Sequence, residues 1–349
     1  MTTLTTRTHR IAAAILALVL VLSVTPASAD PISDKRAQAE AVQSQIGALD
    51  TKAEIAAEAY NRARGRYNKL TSQVHATSDK LAVIRGHMHK LQTALDSRAY
   101  HMYRQGPLGF LEVLLNAKSF DDFNTSIELL TDISTQDANT VSDLKQARKQ
   151  SETLFASLRS AQKSAGVQKA EMAANKRAVL AKLSERKTML AGIKSDIKSL
   201  ITAQQAAEAA AARAAAISSG SGFTMDPGGN PPTSSKGAAA VWWAEKALGA
   251  PYVWAASGPD SFDCSGLTMW AYGHVGVSLP HSSAEQIGYG QRVGRANLEP
   301  GDLVFFGSPI HHVGMYVGGG SFIEAPHSGA VVRIASLSNR SDYAGACRP

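Results

Sequence analysis

Two residues in the last third of this sequence have the side chains needed for nucleophilic catalysis. Cys264, one of only two cysteines in 349 residues, lies in the segment Phe262-Asp263-Cys264-Ser265-Gly266. His312 follows 48 residues later, in an apolar segment that favours a β-strand. A lone cysteine with a histidine elsewhere in the chain is a typical pattern for a thiolate nucleophile and its general base. The pair therefore predicts attack of a thiol on an acyl carbon.

The segments around this pair predict an α+β domain. Helices are expected over 237–248 and 264–274, and strands over 303–306, 312–317, 321–324 and 331–334. One helical part followed by consecutive antiparallel strands is an α+β arrangement. Cys264 then stands at a helix start, where free N–H groups favour an anion, so we expect the pKa of its thiol to be depressed.

Glu324 is the candidate third member of this site. The glycines at 318–320 predict a tight turn between two strands, which places Glu324 across a hairpin from His312. A carboxylate in that position would hold the imidazole in the productive tautomer. Gly314 shares the face of His312 and is expected to leave space beside the imidazole. His311 points to the opposite face and is the weaker candidate.

The second cysteine, Cys347, leaves two interpretations open. A disulfide with Cys264 would consume the nucleophile, whereas two free thiols would leave it reactive, and we favour the latter. No second cysteine or spaced histidine pair accompanies Cys264, so neither a zinc site nor another cofactor is predicted. His281 is a candidate for the cleft lining. The other histidines of this region, His274 and His327, are expected to be structural or exposed.

The N-terminus predicts export. Arg7 and Arg10 precede an apolar run over 11–24, and Ala27-Ser28-Ala29 supplies small residues for cleavage, so residues 1–29 form a predicted signal peptide. An uncleaved anchor is the alternative, although this run is shorter than the ~20 residues that span a bilayer. We therefore expect the mature protein outside the cytoplasmic membrane, secreted or at the cell wall.

Residues 30–216 are expected to form a coiled-coil hairpin. They contain no tryptophan or cysteine, and apolar residues recur at alternating spacings of four and three from Val42 to Leu95. The pattern stops at Gly106-Pro107, and a second helix is predicted from near Ser126 to about Ala216. Two long helices joined by a break can bury their seams as an antiparallel pair. Residues 217–236 are a Gly/Ser/Pro linker, and 237–349 form the catalytic domain.

The distribution of charged and apolar residues along the chain indicates which partners the protein could bind. Residues 30–236 carry a net charge of +7 and residues 237–349 a net charge of −2. The basic rod suits an anionic wall polymer or membrane surface, although a solvated helical face explains it equally well. No nucleic-acid-binding motif is present, so nucleic acid is not a predicted partner. The apolar tip from Leu108 to Phe123 either caps the hairpin or docks a partner.

The last third resembles the NlpC-type cell-wall endopeptidases, which are papain-like cysteine peptidases that cleave peptidoglycan stem peptides. The motifs that carry the resemblance are Tyr252-Val253-Trp254, Phe262 to Leu267, Leu279 to Ser283, Pro300 to Phe305, His312 to Tyr316 and Ile323 to Pro326. The resemblance implies cleavage of the bond between D-glutamate and a diamino acid.

The same resemblance assigns roles residue by residue. It implies that Cys264 is the nucleophile, His312 the general base and Glu324 the third polar residue. Tyr252 matches a tyrosine that borders the nucleophile and helps stabilise the oxyanion. Two further residues, Asp263 and Ser265, match positions near the substrate peptide. The glycine pair that usually follows the tryptophan is Ala255-Ala256 here.

The rod is similar to coiled-coil wall hydrolases of the division machinery, whose hairpins bind the extracellular part of the FtsX membrane protein. The segment from Arg98 to Phe123 carries this likeness. Together the observations predict a secreted peptidoglycan endopeptidase of cell-wall remodelling or daughter-cell separation. A non-enzymatic adaptor that activates another hydrolase is the alternative. We also hypothesise that the hairpin covers the cleft until its tip binds a partner.

Overall fold

The computed structural model describes residues 31–106, 109–219, 230–232 and 235–349. The predicted signal peptide, the Leu108 end of the tip and most of the linker lie outside these residues. Within the described ranges, no helix has a stretch that is long and apolar enough to cross a bilayer.

The N-terminal part is a helical hairpin. Helix α1 spans Pro31–Gln105, α2 spans Gly109–Leu115 and α3 spans Phe120–Gly192. Arg98 pairs with Asp137 near the tip and Asp50 pairs with Arg186 near the base, so α1 and α3 run antiparallel. Small and branched side chains close the seam, among them Ala53, Ala63, Leu81, Ala147, Ala161 and Val179. The expected coiled-coil hairpin is confirmed.

The second long helix differs from the prediction at both ends. It begins at Phe120 instead of Ser126, because the Ser119 hydroxyl caps it by accepting the Asp122 N–H. It ends at Gly192, where Ile193 and Lys194 are extended. A separate helix, α4 (Ser195–Ser218), then turns to cover the C-terminal sheet.

Helix α4 is built into the core of the C-terminal domain. Its residues Ala212 and Ala216 are buried among the apolar side chains of that core. The hydroxyl of Ser321 donates to the carbonyl of Ala212 at 2.9 Å. The C-terminal sheet is therefore covered by a helix that the sequence pattern assigned to the rod.

The C-terminal domain is α+β, as expected. Its helices are α5 (Lys236–Lys246), α6 (Cys264–Gly273) and α7 (Ser283–Gln286). Its strands are β1 (Gln291–Val293), β2 (Leu303–Phe306), β3 (His312–Gly318), β4 (Ser321–Glu324), β5 (Arg333–Ser336) and β6 (Tyr343–Arg348). Short 3-10 helices span Arg295–Asn297 and Leu337–Asn339. The sheet is antiparallel with the order β1-β6-β2-β3-β4-β5.

One face of this sheet packs against α6 to form the main core. Phe305 of β2 and Met315 of β3 are fully buried in it, together with Leu267 of α6. Replacing Phe305 by alanine is expected to lower the free energy of unfolding by about 3–5 kcal/mol, because a large cavity remains. Urea unfolding followed by tryptophan fluorescence reports on this domain, since all four tryptophans lie in it.

The matched control for this prediction is Val331→Ala. Val331 is 46% exposed, so its replacement is expected to change the stability by no more than about 0.5 kcal/mol. Equal unfolding midpoints for the two variants would contradict the placement of Phe305 in the core.

Candidate active site

Cys264 is the first residue of α6, and local sequence places it there. Asp263 caps the helix, because its carboxylate accepts the Gly266 N–H at 2.7 Å. Gly266 is required at this point, since a Cβ there would lie 2.1 Å from the carbonyl oxygen of Ala256. The Cys264 thiol is free and the residue is only 7% exposed. Cys347 is also a free, buried thiol, in β6, so no disulfide joins the two.

His312 begins β3 and is paired with Glu324 at the end of β4. Its Nε2 lies 2.9 Å from Glu324 Oε2, and both side chains are about 1% exposed. A carboxylate only accepts, so this contact assigns the proton to Nε2 and leaves Nδ1 with a lone pair. Among the described residues, Nδ1 has no hydrogen-bond partner. Burial lowers the pKa of His312, although the contact with Glu324 acts in the opposite direction.

Glu324 is held as an anion despite its burial. Burial would raise its pKa, but the hydrogen bond from His312 and the positive charges of Arg333 and Arg340 outweigh it. The pKa of this carboxyl is consequently well below its usual range. Glu324 can therefore orient the imidazole and stabilise it when protonated.

The expected role of Gly314 as a space beside the imidazole is wrong. A Cβ at this position would lie 2.4 Å from the Phe322 ring and 2.8 Å from the backbone oxygen of Ile323. Gly314 therefore lets β4 and the Phe322 ring approach β3 closely. Because glycine has no side chain, the two strands that carry His312 and Glu324 can lie this close together.

The three residues that were expected to border the substrate, Tyr252, Asp263 and Ser265, are all buried in this structure. Tyr252 is 8% exposed and pairs with Phe262 just before the helix of Cys264. Burial raises the pKa of Tyr252, and the negative charge of Asp263 raises it further, so its phenol stays a donor. Ser265 is fully buried, and its hydroxyl donates to Asp263 at 3.3 Å. Ser265 is therefore hydrogen-bonded to the residue that caps α6, and its side chain is enclosed in this structure.

The other histidines have separate partners. The Nε2 of His281 contacts the Asp263 carboxylate at 2.7 and 2.8 Å. His311 Nδ1 lies 2.9 Å from the carbonyl oxygen of Pro309, and His274 stacks on Trp243. His327 Nδ1 lies 3.2 Å from a guanidinium nitrogen of Arg186 in α3. In the part of the chain that the structure describes, no cluster of His, Cys, Asp and Glu side chains could hold a metal ion.

Helix α1 lies against this site and covers the cleft that a substrate would enter, and its residue Glu58 is hydrogen-bonded to residues 282–284. Its carboxylate accepts from the Ser283 N–H at 2.9 Å, the Ser283 hydroxyl at 2.9 Å and the Ala284 N–H at 3.3 Å. The Ser282 hydroxyl also donates to it. Glu58 is 3% exposed, and Ser282 and Ser283 are 1% and 0% exposed. These groups form a carboxylate cradle, made by the backbone and hydroxyls of residues 282–284.

Asn61 and Arg64, within the two turns of α1 that follow Glu58, also contact the C-terminal domain. Asn61 donates to Asp263 at 3.0 Å. Arg64 donates to the Ala255 carbonyl at 3.2 Å and to His281 Nδ1 at 2.8 Å. Ala255 has a φ of 61°, in the left-handed region that favours glycine, which matches its place in the usual glycine pair. The loop after Trp254 therefore keeps the glycine conformation and is bound by α1.

Glu54 brings α1 to His312, the candidate general base. Its Oε2 lies 3.6 Å from Nδ1 of His312, on the nitrogen that would accept the thiol proton. The space left between α1 and Tyr252 is a cavity of about 10 Å³, also lined by Trp254 and His327. That volume holds about one water molecule at most. A peptide substrate cannot enter while α1 occupies this position.

The expected depression of the Cys264 pKa is wrong for this closed structure. Burial raises the pKa of the thiol, and the negative charges of Asp263, Glu54 and Glu58 raise it further. A backbone hydrogen bond at the helix start acts in the opposite direction but is the smaller effect. Two of the three carboxylates belong to α1, so the same helix that blocks the cleft also disfavours the thiolate, although burial raises the pKa of Glu54 itself and so limits its share of this effect near neutral pH.

This arrangement predicts a slow reaction of Cys264 with iodoacetamide in the full-length protein. The variant Glu58→Ala is expected to react at least about tenfold faster near neutral pH, because hydrogen bonds to a charged group contribute about 1.5–3 kcal/mol. Mass analysis of the alkylated peptides separates Cys264 from Cys347. Equal rates of Cys264 alkylation in the two proteins would contradict the role of α1.

Comparisons with known proteins agree with the two-part architecture. Residues 249–344 match the NlpC/P60 family, and residues 82–168 match the coiled-coil domain of peptidoglycan hydrolase PcsB. A probable endopeptidase of Corynebacterium glutamicum is 45% identical over 106 residues, which is 30% of this chain and 51% of that protein. The probable endopeptidase p60 of Listeria grayi is 47% identical over 91 residues, 26% of this chain and 18% of that protein.

Two solved structures are also similar to part of this chain. The NlpC/p60 domain of peptidoglycan hydrolase SagA is 36% identical, covers 32% of this chain and 98% of its own, and has a TM-score of 0.31. NlpC2 from Trichomonas vaginalis is 34% identical, with 36% and 49% coverage and a TM-score of 0.33. The chain spans about half the length or less of the curated relatives described above. It carries an NlpC/P60 domain preceded by a coiled-coil domain of the PcsB type.

Proposed function

We propose that this protein is a secreted cysteine endopeptidase that cleaves peptidoglycan stem peptides between D-glutamate and a diamino acid. The observation that carries the proposal is the paired state of His312. Its Nε2 is bound to Glu324 and its Nδ1 has no hydrogen-bond partner among the described residues, while the Cys264 thiol lies 4.0 Å from the carbonyl oxygen of His311, the residue before it. The match to the NlpC/P60 family and the relatives named as probable endopeptidases support the same reaction class.

The proposed reaction passes through a thioacyl enzyme. Nδ1 of His312 takes the Cys264 proton, and the sulfur attacks the peptide carbonyl carbon. Tyr252, which stays protonated, donates in this proposal to the developing oxyanion. The C–N bond breaks as the imidazolium returns the proton to the leaving amine. Water, deprotonated by His312, then hydrolyses the thioester and restores the thiol.

The carboxylate cradle supports a substrate that carries free carboxylates. The cradle binds the Glu58 carboxylate through buried hydroxyls and backbone N–H groups of Ser282, Ser283 and Ala284. A stem peptide linked through the side chain of D-glutamate keeps a free α-carboxylate beside the scissile bond. Glu58 therefore occupies a position suited to that group, and α1 acts in our proposal as a substrate mimic.

The proposed resting state is closed, and the proposed trigger is binding at the hairpin tip. Leu115 and Phe120 at the tip are 82% and 75% exposed, which supports a docking surface. An FtsX-like membrane protein is the proposed partner, and division or wall remodelling the proposed context. From Glu58 to the end of α1 at Gln105 the helix extends about 70 Å at 1.5 Å per residue. A tilt of α1 at the tip therefore displaces the part of the helix that lies at the cleft. Residues 1–29 are proposed to export the chain, so this event would take place outside the cytoplasmic membrane.

The test is a mass-resolved digest of purified peptidoglycan by the Glu58→Ala protein. The expected products carry a new amino terminus on the diamino acid and a new carboxyl on D-glutamate. Product masses that correspond to an amidase or an acyltransferase would overturn the proposed bond. No products at all, as with a variant that lacks Cys264, would favour the non-enzymatic adaptor.

A further inference from the structure

The side chain of Arg333 contacts the carboxylate that holds the catalytic histidine. The register of β4 and β5 places Arg333 directly opposite Glu324. Its Nε and Nη2 both lie 3.0 Å from one oxygen of that carboxylate, Oε1. The other oxygen, Oε2, contacts His312. Each carboxylate oxygen therefore has a separate partner.

We infer that Arg333 is a positioning residue that acts through Glu324 to fix the orientation of His312. The inference rests on the proposed function, because it assigns His312 as the general base. A guanidinium fork restricts a carboxylate in a way that a single charge does not. With Oε1 bound to Arg333, the carboxylate cannot turn Oε2 away from Nε2 of His312. The imidazole then keeps its proton on Nε2 and Nδ1 remains free for the thiol.

Arg340 also lies near Glu324, but its hydrogen bonds are made to Asp342. Its Nη1 lies 3.5 Å from Glu324 Oε2, whereas its Nε and Nη2 bind Asp342 at 2.9 and 3.0 Å. Its guanidinium carbon lies 4.0 Å above the centre of the Phe306 ring. Arg340 therefore contributes a nearby positive charge, while the orientation of Glu324 depends on Arg333.

The charged groups around this pair make the two possible roles of Arg333 distinguishable. Glu324 and Glu54 face His312 from β4 and α1, and Arg340 and His311 also face it. Positive neighbours such as Arg340 lower the pKa of His312. If Arg333 acted only by its charge, its removal would raise that pKa. If it positions Glu324, its removal weakens the hydrogen bond that raises the pKa, and the pKa falls.

The experiment compares Arg333→Lys with Arg333→Met in the full-length protein and in the Glu58→Ala background. The lysine variant keeps the charge and most of the volume but loses the fork. Both variants are expected to lower kcat by about 10- to 100-fold with little change in KM, as for lost support of a catalytic ligand. NMR titration of labelled His312 is expected to show a lower midpoint and partial loss of the Nε2–H tautomer.

Two results would overturn the inference. One is full rescue of kcat and of the His312 titration by lysine, and the other is a higher titration midpoint in Arg333→Met. Tryptophan fluorescence is the check that both variants are folded. The NMR titration needs no activity, so it decides the inference even if the Glu58→Ala protein cleaves no peptidoglycan, a result that would overturn the proposed function instead.

Discussion

Replacing Glu58 by alanine is expected to raise the rate of peptidoglycan cleavage by about ten- to one-hundredfold. The substitution removes the carboxylate from its cradle and leaves the buried donors of residues 282–284 without a partner in the closed state. Hydrogen bonds to a charged group contribute about 1.5–3 kcal/mol, which corresponds to this factor in the open population. The measurement is the initial rate of muropeptide release at equal protein concentration.

The control for this prediction is Glu152→Ala. Glu152 lies on α3, where it pairs with Arg148, and its side chain is 71% exposed. Its loss removes the same charge without touching the cleft, and the rate is expected to stay unchanged. A Glu58→Ala protein that is folded but no faster than the unmodified protein would contradict latency imposed by α1.

Removing the Cys264 sulfur from the released protein is expected to abolish cleavage, with a loss of about 10⁴-fold or more. The double variant Glu58→Ala, Cys264→Ala retains the open cleft and lacks the only group proposed to form the thioester. Loss of a nucleophile in a comparable catalytic triad costs several orders of magnitude in kcat. The measurement is muropeptide release over an extended incubation, compared with the Glu58→Ala protein.

Cys347 offers a matched thiol control. It is fully buried in β6, and its sulfur lies 3.4 Å from the carbonyl oxygen of Gln286, so Cys347→Ala tests loss of a thiol without loss of the candidate nucleophile. This variant is expected to retain the rate of its Glu58→Ala parent. Cleavage by the double variant within tenfold of its parent would exclude Cys264 as the nucleophile.

The pairing within the candidate site was predictable because it is local. His312 and Glu324 lie on adjacent strands joined by the glycine turn at 318–320, and strand alternation alone brings their side chains to one region. The helix start at Cys264 follows from the Asp263 cap. Their placement needed no knowledge of the rest of the chain.

Closure of the cleft by the hairpin was a hypothesis from the sequence, but the residues that make the closure were not predicted, because their contacts join residues more than two hundred positions apart. Glu58 and Ser283 are separated by 225 residues, and Asn61 and Asp263 by 202. A trace of this contact is present in the sequence, since Glu54, Glu58 and Asn61 lie one turn apart on α1. Such a polar stripe on a helix is equally typical of a solvated face, and only the fold shows that Glu58 and Asn61 are buried.

The state of the thiol was mispredicted for the same reason. A helix start depresses a cysteine pKa when water and substrate can reach it, which is the situation that the local sequence describes. In the folded chain, burial and the carboxylates of Glu54 and Glu58 raise the pKa of this thiol instead.

The strands β1 and β6 were not predicted. β6 is rich in small residues and has no clear alternation of apolar and polar residues, and β1 pairs with β6.

The most direct test of a latent cysteine endopeptidase is one mass-resolved digest of purified peptidoglycan with three proteins. These are the unmodified chain, Glu58→Ala, and Glu58→Ala combined with Cys264→Ala. We predict slow release by the first, release at least about tenfold faster by the second and none by the third. Equal release by the first two proteins, or release by the third, would contradict the account.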